Sequence, residues 1–282
     1  MQRREFTAAL ASVIVGASTL GPRAASAQPA QKGRRIGVLM GLSESNPAFP
    51  RLVDAFVQEL ARLGWVDGHN ARIEQRWTNA DVKRASTLAT ELVALQLDVI
   101  VCSTTPAAAA LHRETSTVPI IFTVVSDPVG AGFVAGLPRP GGNMTGFINT
   151  EAGVAGKWLS LLKEIAPGIK RAGIMFNPDT APGGGKYYLD SFEAAARSLA
   201  VEPVVMRVRS DAEIETAIAG LGSAAGLVLM DDSFMGVHYR TIISLDGSKN
   251  TDDFPDAGFC EGWWPHIIRS GPRGHIPPRG RR

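Results

Sequence analysis

Four places in this chain set polar side chains at the ends of apolar runs, and their types are those of a site that binds rather than cleaves. Ser103, Thr104 and Thr105 follow DVIVC and precede a helix opened by Pro106. Hydroxyls and helix N-terminal N–H groups suit a carboxylate, although the same residues also cap helices and the two roles can coexist. Asp127 follows IIFTVVS and precedes Pro128. Its carboxylate could accept from an ammonium group or, as Asp-Pro favours, close a turn. Further on, Asn177 ends RAGIMF, and Asp231, Asp232 and Ser233 end GLVLM. Tyr187 and Tyr188 offer an aromatic wall, with one of the pair expected in the core.

Catalytic and metal chemistry finds less support. Gly183-Gly184-Gly185-Lys186 lacks the Ser or Thr that a phosphate loop carries after its lysine, and reads as a flexible rim loop. His69, His112 and His238 lie far apart, no Gly-x-Ser-x-Gly elbow is present, and no cofactor is called for. Two rival readings stay open: an α/β hydrolase or transferase using Asp127 or Asp231, and a sensor lobe reporting a ligand to a membrane receptor.

The elements that must position these residues alternate. Residues 35–40 read as a strand, and Leu52, Val53, Phe56, Leu60 and Leu63 recur at helical spacing until Gly64 stops the helix. Strands at 71–77, 99–102 and 120–125 alternate with helices, which predicts a parallel sheet with right-handed crossovers. The segment 137–143, rich in Pro and Gly, reads as a chain crossing between lobes, followed by an extended run at 144–148. The rhythm then restarts. Strands are expected at 172–176, 204–208 and 226–230, with helices around Trp158, at 188–200, after a cap at Asp211, and from 237. Strand ends in a parallel sheet are where ligands sit, so the polar clusters fall in the right places.

Composition agrees with two lobes of ordinary size. The chain has 282 residues, 45% hydrophobic and 20% charged, with a net charge of +2. That charge is too small to argue for nucleic acid or a membrane surface. Residues 1–27 read as an export signal: Arg3-Arg4, an apolar run, and Ala25-Ser26-Ala27 before Gln28. The arginine pair suggests the twin-arginine route, and the mature chain is expected in the periplasm. Cys102 sits within an apolar run as a small hydrophobe, so no disulfide with Cys260 is expected.

The stretch SDPVGAGFVAGLPRPGGNMTGF, with RIGVLM before it and RAGIMFNP after it, resembles the ABC transporter substrate-binding proteins of the tryptophan/tyrosine type. The resemblance runs over residues 35–245. It implies a type I periplasmic binding fold, with two Rossmann-like lobes joined by three crossing segments, a small amino-acid-like solute between them, no catalysis, and an ABC permease and ATPase as partners. The positions matching its cleft are Ser43, Glu44, Ser103, Thr104, Thr105, Asp127, Asn149, Thr150, Asn177, Asp231, Asp232 and Ser233. On this reading the lobes are 34–148 and 149–245, the second one incomplete. Residues 246–282 have neither helical nor strand period, and back-translation from Gly247 one nucleotide out of frame permits a family-like ending. A frame-shifted, disordered tail, an unfilled edge on the second sheet and a defective product are therefore expected.

Overall fold

The structure, a computed structural model, describes residues 33–45, 48–222, 225–245 and 267–269. The first sheet is built from β1 (Arg34–Met40), β2 (Ala71–Trp77), β3 (Val99–Ser103), β4 (Ile120–Val125) and β5 (Met144–Ile148). Its order is β2-β1-β3-β4-β5, and every pairing is parallel. Helix α1 (Ala48–Arg62) covers one face, where Phe49 and Val53 pack on Val38, Met40 and Trp77. Helices α2 (Val82–Ala94) and α3 (Thr105–Glu114) cover the other, burying Ala85, Ala89, Leu92 and Leu111 against Leu39, Ile100 and Phe122. With both faces covered, the strands need apolar residues throughout, which is why they read as continuous runs. Asp81 starts α2 by accepting from the N–H groups of Lys83 and Arg84.

The second sheet comprises β6 (Arg171–Phe176), β7 (Glu202–Arg207), β8 (Ala225–Leu229) and β9 (Ile267–Arg269), in the order β7-β6-β8-β9. Helices α4 (Val154–Ile165) and α5 (Lys186–Ser198) pack on one face through Trp158, Leu159, Leu162, Tyr188 and Phe192. On the other face lie α6 (Asp211–Leu221) and α7 (Ser233–Leu245), through Ile214, Leu221, Met235 and Ile242. Tyr188, Phe192, Phe122 and Phe176 are among the largest fully buried side chains. Each such burial is worth roughly 2 kcal/mol against exposure.

Several expectations need correction. The Pro/Gly segment 137–143 is not the crossing, because β5 after it still pairs with β4 and the chain leaves the first sheet only beyond Ile148. Ser210, not Asp211, caps α6: its hydroxyl accepts from the Glu213 N–H, while Glu213 Oε2 accepts from the Arg209 N–H just before the cap. Helix α7 begins at Ser233, four residues before the expected start at 237. The loop at 182–185 is built rather than flexible. Pro182 and Gly185 are buried, and Gly185 (φ 93°) lies so close to Phe176 that a Cβ would overlap its ring.

The edge of β8 is also not empty: Gly226, Leu227 and Val228 pair antiparallel with Arg269, Ile268 and Ile267. The rest of the expected tail, at 246–266 and 270–282, lies outside the described residues, as do the signal segment 1–27 and Cys260. Among the described residues no helix is long and apolar enough to cross a membrane.

Candidate functional site

Both sheets reverse direction of strand order at their first strand, between β1 and β3 in one and between β6 and β8 in the other. At such switch points neighbouring loops part and leave a crevice. In the first lobe the Gly41 N–H donates to Ser103 Oγ at 3.1 Å, tying the end of β1 to that of β3. Gly41 is required there because a Cβ would overlap Thr104 Oγ1. In the second lobe the Asn177 N–H donates to Asp232 Oδ2 at 3.1 Å, joining the ends of β6 and β8 in the same way.

Thr104 carries two independent marks of a site. Its backbone lies at φ 79°, ψ 150°, a region that essentially only glycine occupies, and a cost of order 1–3 kcal/mol must be met by its surroundings. Its hydroxyl is buried without a hydrogen-bond partner among the described residues. Ser233 Oγ, on the first residue of α7, is the second such atom. Val124, near the end of β4, is also left-handed at φ 58°, where the pairing with β5 slips. Two adjacent strands of the first lobe thus end in strained residues.

The other expected residues divide between binding and scaffolding geometry. Thr105 is half-buried at the start of α3. Asp127 Oδ1 accepts from the Gly130 N–H at 2.8 Å, the turn-closing role, while its charge also acts on Tyr187. Asn177 Oδ1 accepts from the Asp179 N–H at 2.8 Å. Ser43 bonds to Ser45 at 2.7 Å, and Glu44 is exposed; neither is joined to the other candidates by a hydrogen bond among the described residues.

Asn149 and Thr150 sit at the centre of a network that spans the lobes. Asn149 Nδ2 donates to Asp231 Oδ2 at 2.5 Å and Asn149 Oδ1 accepts from Ser126 Oγ at 3.0 Å. Thr150 Oγ1 shares a 2.6 Å hydrogen bond with the Tyr188 hydroxyl, and Tyr188 donates to Ser126 at 2.8 Å. Ser126 ends β4 in the first lobe, whereas Tyr188 and Asp231 belong to the second. Sequence reasoning gives Ser126 no role and leaves Tyr188 as wall or core. A hydroxyl placed at a strand end, and a tyrosine rather than phenylalanine in a core, were the available signals. Tyr187, edge-on to Tyr188 at 5.0 Å and donating to Thr150 O at 3.1 Å, is the half-exposed member of the pair. The loop after β1 also meets the second lobe: a Cβ at Gly236 would lie 3.4 Å from Leu42 Cδ2.

Electrostatics separates the two neighbouring carboxylates. Burial, then the charge of Asp232, pushes Asp231 up to about 7. Burial also raises Asp232, to about 6, against the pull of the Met235 N–H, the Thr180 hydroxyl and the Asn177 N–H. The Cys102 thiol, fully buried, is pushed up to about 12 and has no thiolate chemistry to offer. No cluster of metal-ligating side chains occurs among the described residues.

A family model described as "ABC transporter substrate binding protein" matches residues 35–254. The chain belongs to this family. Its members bind substrates rather than transform them. A curated relative, the tyrosine-binding protein of Clostridioides difficile (strain R20291), is 27% identical over 223 residues, which cover 78% of this chain and 62% of the relative. The chain therefore spans under two thirds of that relative's length. Among solved structures, an ABC domain from Streptococcus pneumonia in complex with L-Trp is 26% identical with a TM-score of 0.67, covering 77% of this chain and 71% of the other. A ligand-free, open substrate-binding protein with adhesive properties from Clostridium difficile is 27% identical with a TM-score of 0.50, covering 76% and 71%. The two α/β lobes match a type I periplasmic binding fold, with the second sheet the smaller. The family match also runs past Leu245, where the sequence pattern breaks off.

Proposed function

We propose that this chain is the exported, periplasmic solute-binding component of an ABC importer, taking a small amino-acid-like solute between its lobes and presenting it to a permease and its ATPase. The observation that carries the reading is the pair of buried hydroxyls without partners among the described residues, Thr104 Oγ1 and Ser233 Oγ, one at the strand ends of each lobe. A buried hydroxyl left unsatisfied costs about 1–3 kcal/mol, which a polar solute bridging the lobes would recover. The N-terminus of α3 adds N–H groups suited to its carboxylate. Tyr187, half-exposed beside Thr150, suits an aromatic side chain, in keeping with the tyrosine and L-Trp named for the relatives. Ser43, Glu44, Ser103, Thr105, Asp127, Asn149, Thr150, Asn177 and Asp231 complete the proposed lining, and lobe closure about the crossing at Asn149 and Thr150 is the proposed motion.

Titration calorimetry with L-tyrosine, L-tryptophan and L-leucine tests this reading. Saturable binding is expected, weakened about tenfold or more by Thr104→Ala and by Ser233→Ala. Unchanged affinity in both variants removes the proposed site, and no binding of any of the three rejects the solute class. Export through residues 1–27 with cleavage before Gln28 belongs to the same proposal, and an intact Met1 on the exported protein's mass spectrum contradicts it. A frame shift after Leu245 is carried as a separate proposal that sequencing the gene decides: no family-like reading in the shifted frame ends it.

A further inference from the structure

Asp231 and Asp232 are neighbours in sequence and opposites in support. Asp232 has three donors on its two oxygens: the Asn177 N–H at 3.1 Å, the Thr180 hydroxyl at 2.8 Å and the Met235 N–H at 2.9 Å. These donors pull against the burial that raises Asp232 to about 6 and hold it nearer its ionised form than Asp231. Asp231 has Asn149 Nδ2 and, at 3.4 Å, the Thr150 hydroxyl, both on Oδ2; among the described residues Oδ1 accepts nothing. The titratable groups acting on it are the Asp232 carboxyl at the start of α7 and the Tyr188 phenol from α5, while the crossing strand offers only the neutral Asn149 and Thr150. No Lys, Arg or His among the described residues makes an ion pair with it. A half-buried carboxylate with no countercharge, beside a second acidic group, favours a proton or a cation.

We propose that Asp231 holds a proton in the solute-free protein and surrenders it to the buffer when the ammonium group of a solute takes the place beside it, so that capture of an amine-bearing solute expels a proton. The inference rests on the solute-binding reading and adds its regulation. The exchange is balanced: the O–H bond of the Asp231 carboxyl breaks, the proton leaves to solvent, and the carboxylate pairs with an ammonium that keeps its own protons. The upward shift of Asp231 to about 7 sets the window. Below that point affinity falls by up to about tenfold per pH unit, because a proton must be displaced; above it affinity levels off.

The test is calorimetry of L-tyrosine and L-tryptophan in buffers of different ionisation heat, at about pH 6 and about pH 8.5. At the lower pH the observed heat should vary with the buffer by the amount for about one released proton, and at the higher pH it should not. Asp231→Asn should bind with a heat independent of buffer and an affinity flat across this range. Binding by the unaltered protein with no buffer dependence at about pH 6 overturns the exchange and leaves the solute reading standing. Buffer dependence that survives in Asp231→Asn assigns the proton elsewhere and overturns it too. If neither amino acid binds, both readings fall. The unaltered protein alone decides proton release, so a variant that does not fold leaves the test intact.

Discussion

The two lobes join their central strands by the same bond and surround it with different chemistry. In the first, a backbone N–H at Gly41 meets a neutral hydroxyl, Ser103, and the neighbouring Thr104 holds a backbone shape that costs energy. In the second, the N–H of Asn177 meets the carboxylate of Asp232, and the charge cost falls on Asp231 beside it. Conformational strain marks one half of the site and buried charge marks the other. The strain of the first can be relieved by a glycine, and the raised carboxylates of the second respond to pH.

The largest break in this comparison should come from Asp232→Ala. It leaves the Asn177 N–H, the Thr180 hydroxyl and the Met235 N–H without their acceptor, and a loss of about 3 kcal/mol or more is expected in denaturant unfolding. A loss below about 0.5 kcal/mol would mean that these donors find water instead and that the carboxylate does not hold the lobe together.

Next in size is the response to pH. Asp231 lies at about 7 when folded against an ordinary value of 3.8, so it ionises less readily in the folded chain than in the unfolded one. Below the ordinary value both forms are protonated and the group is neutral to stability. As pH rises from there to about 7 its penalty accumulates, and above that it is constant. Asp231→Asn should therefore gain on the unaltered protein in melting temperature as pH rises through this window. A difference that stays level with pH would show that Asp231 is hydrated and ordinary.

The smallest effect, and the most specific, is that of Thr104→Gly. Relief of the strained backbone should raise stability by about 1 kcal/mol, while loss of the hydroxyl weakens solute binding. Stability and affinity should thus move in opposite directions; a variant that loses both would place Thr104 among the packing residues.

The sheets were legible because strands buried on both faces must be apolar from end to end, as VIVCS and IIFTVV are. Helix starts were less so. Ser210 and Asp211 are both good cap residues, and only the bond to the Glu213 N–H separates them. The candidate residues at strand ends followed from the sheet, but what each does there did not. Nothing in Thr104 as a letter foretells a positive φ, and the network through Ser126 and Tyr188 joins residues 62 positions apart whose meeting depends on how the lobes are set. The loop at 182–185 differs for a related reason: three glycines suggest mobility, whereas the left-handed backbone of Gly185 brings the chain against the Phe176 ring, where no side chain fits.

The carbonyl of Gly41 accepts two bonds from the turn after β2, from Thr78 Oγ1 at 2.9 Å and from the Ala80 N–H at 2.8 Å. Asn79 and Ala80 both adopt left-handed backbone to make this possible. The loop that follows β1 and the turn that follows β2 are consequently one mechanical piece, anchored to strands rather than hinged on them. In hydrogen exchange the Ala80 amide should trade its proton at the slow pace of the strands, although it lies in a connection. The rim on this side of the first lobe is thus a single braced edge, with two connections sharing one carbonyl as their tie.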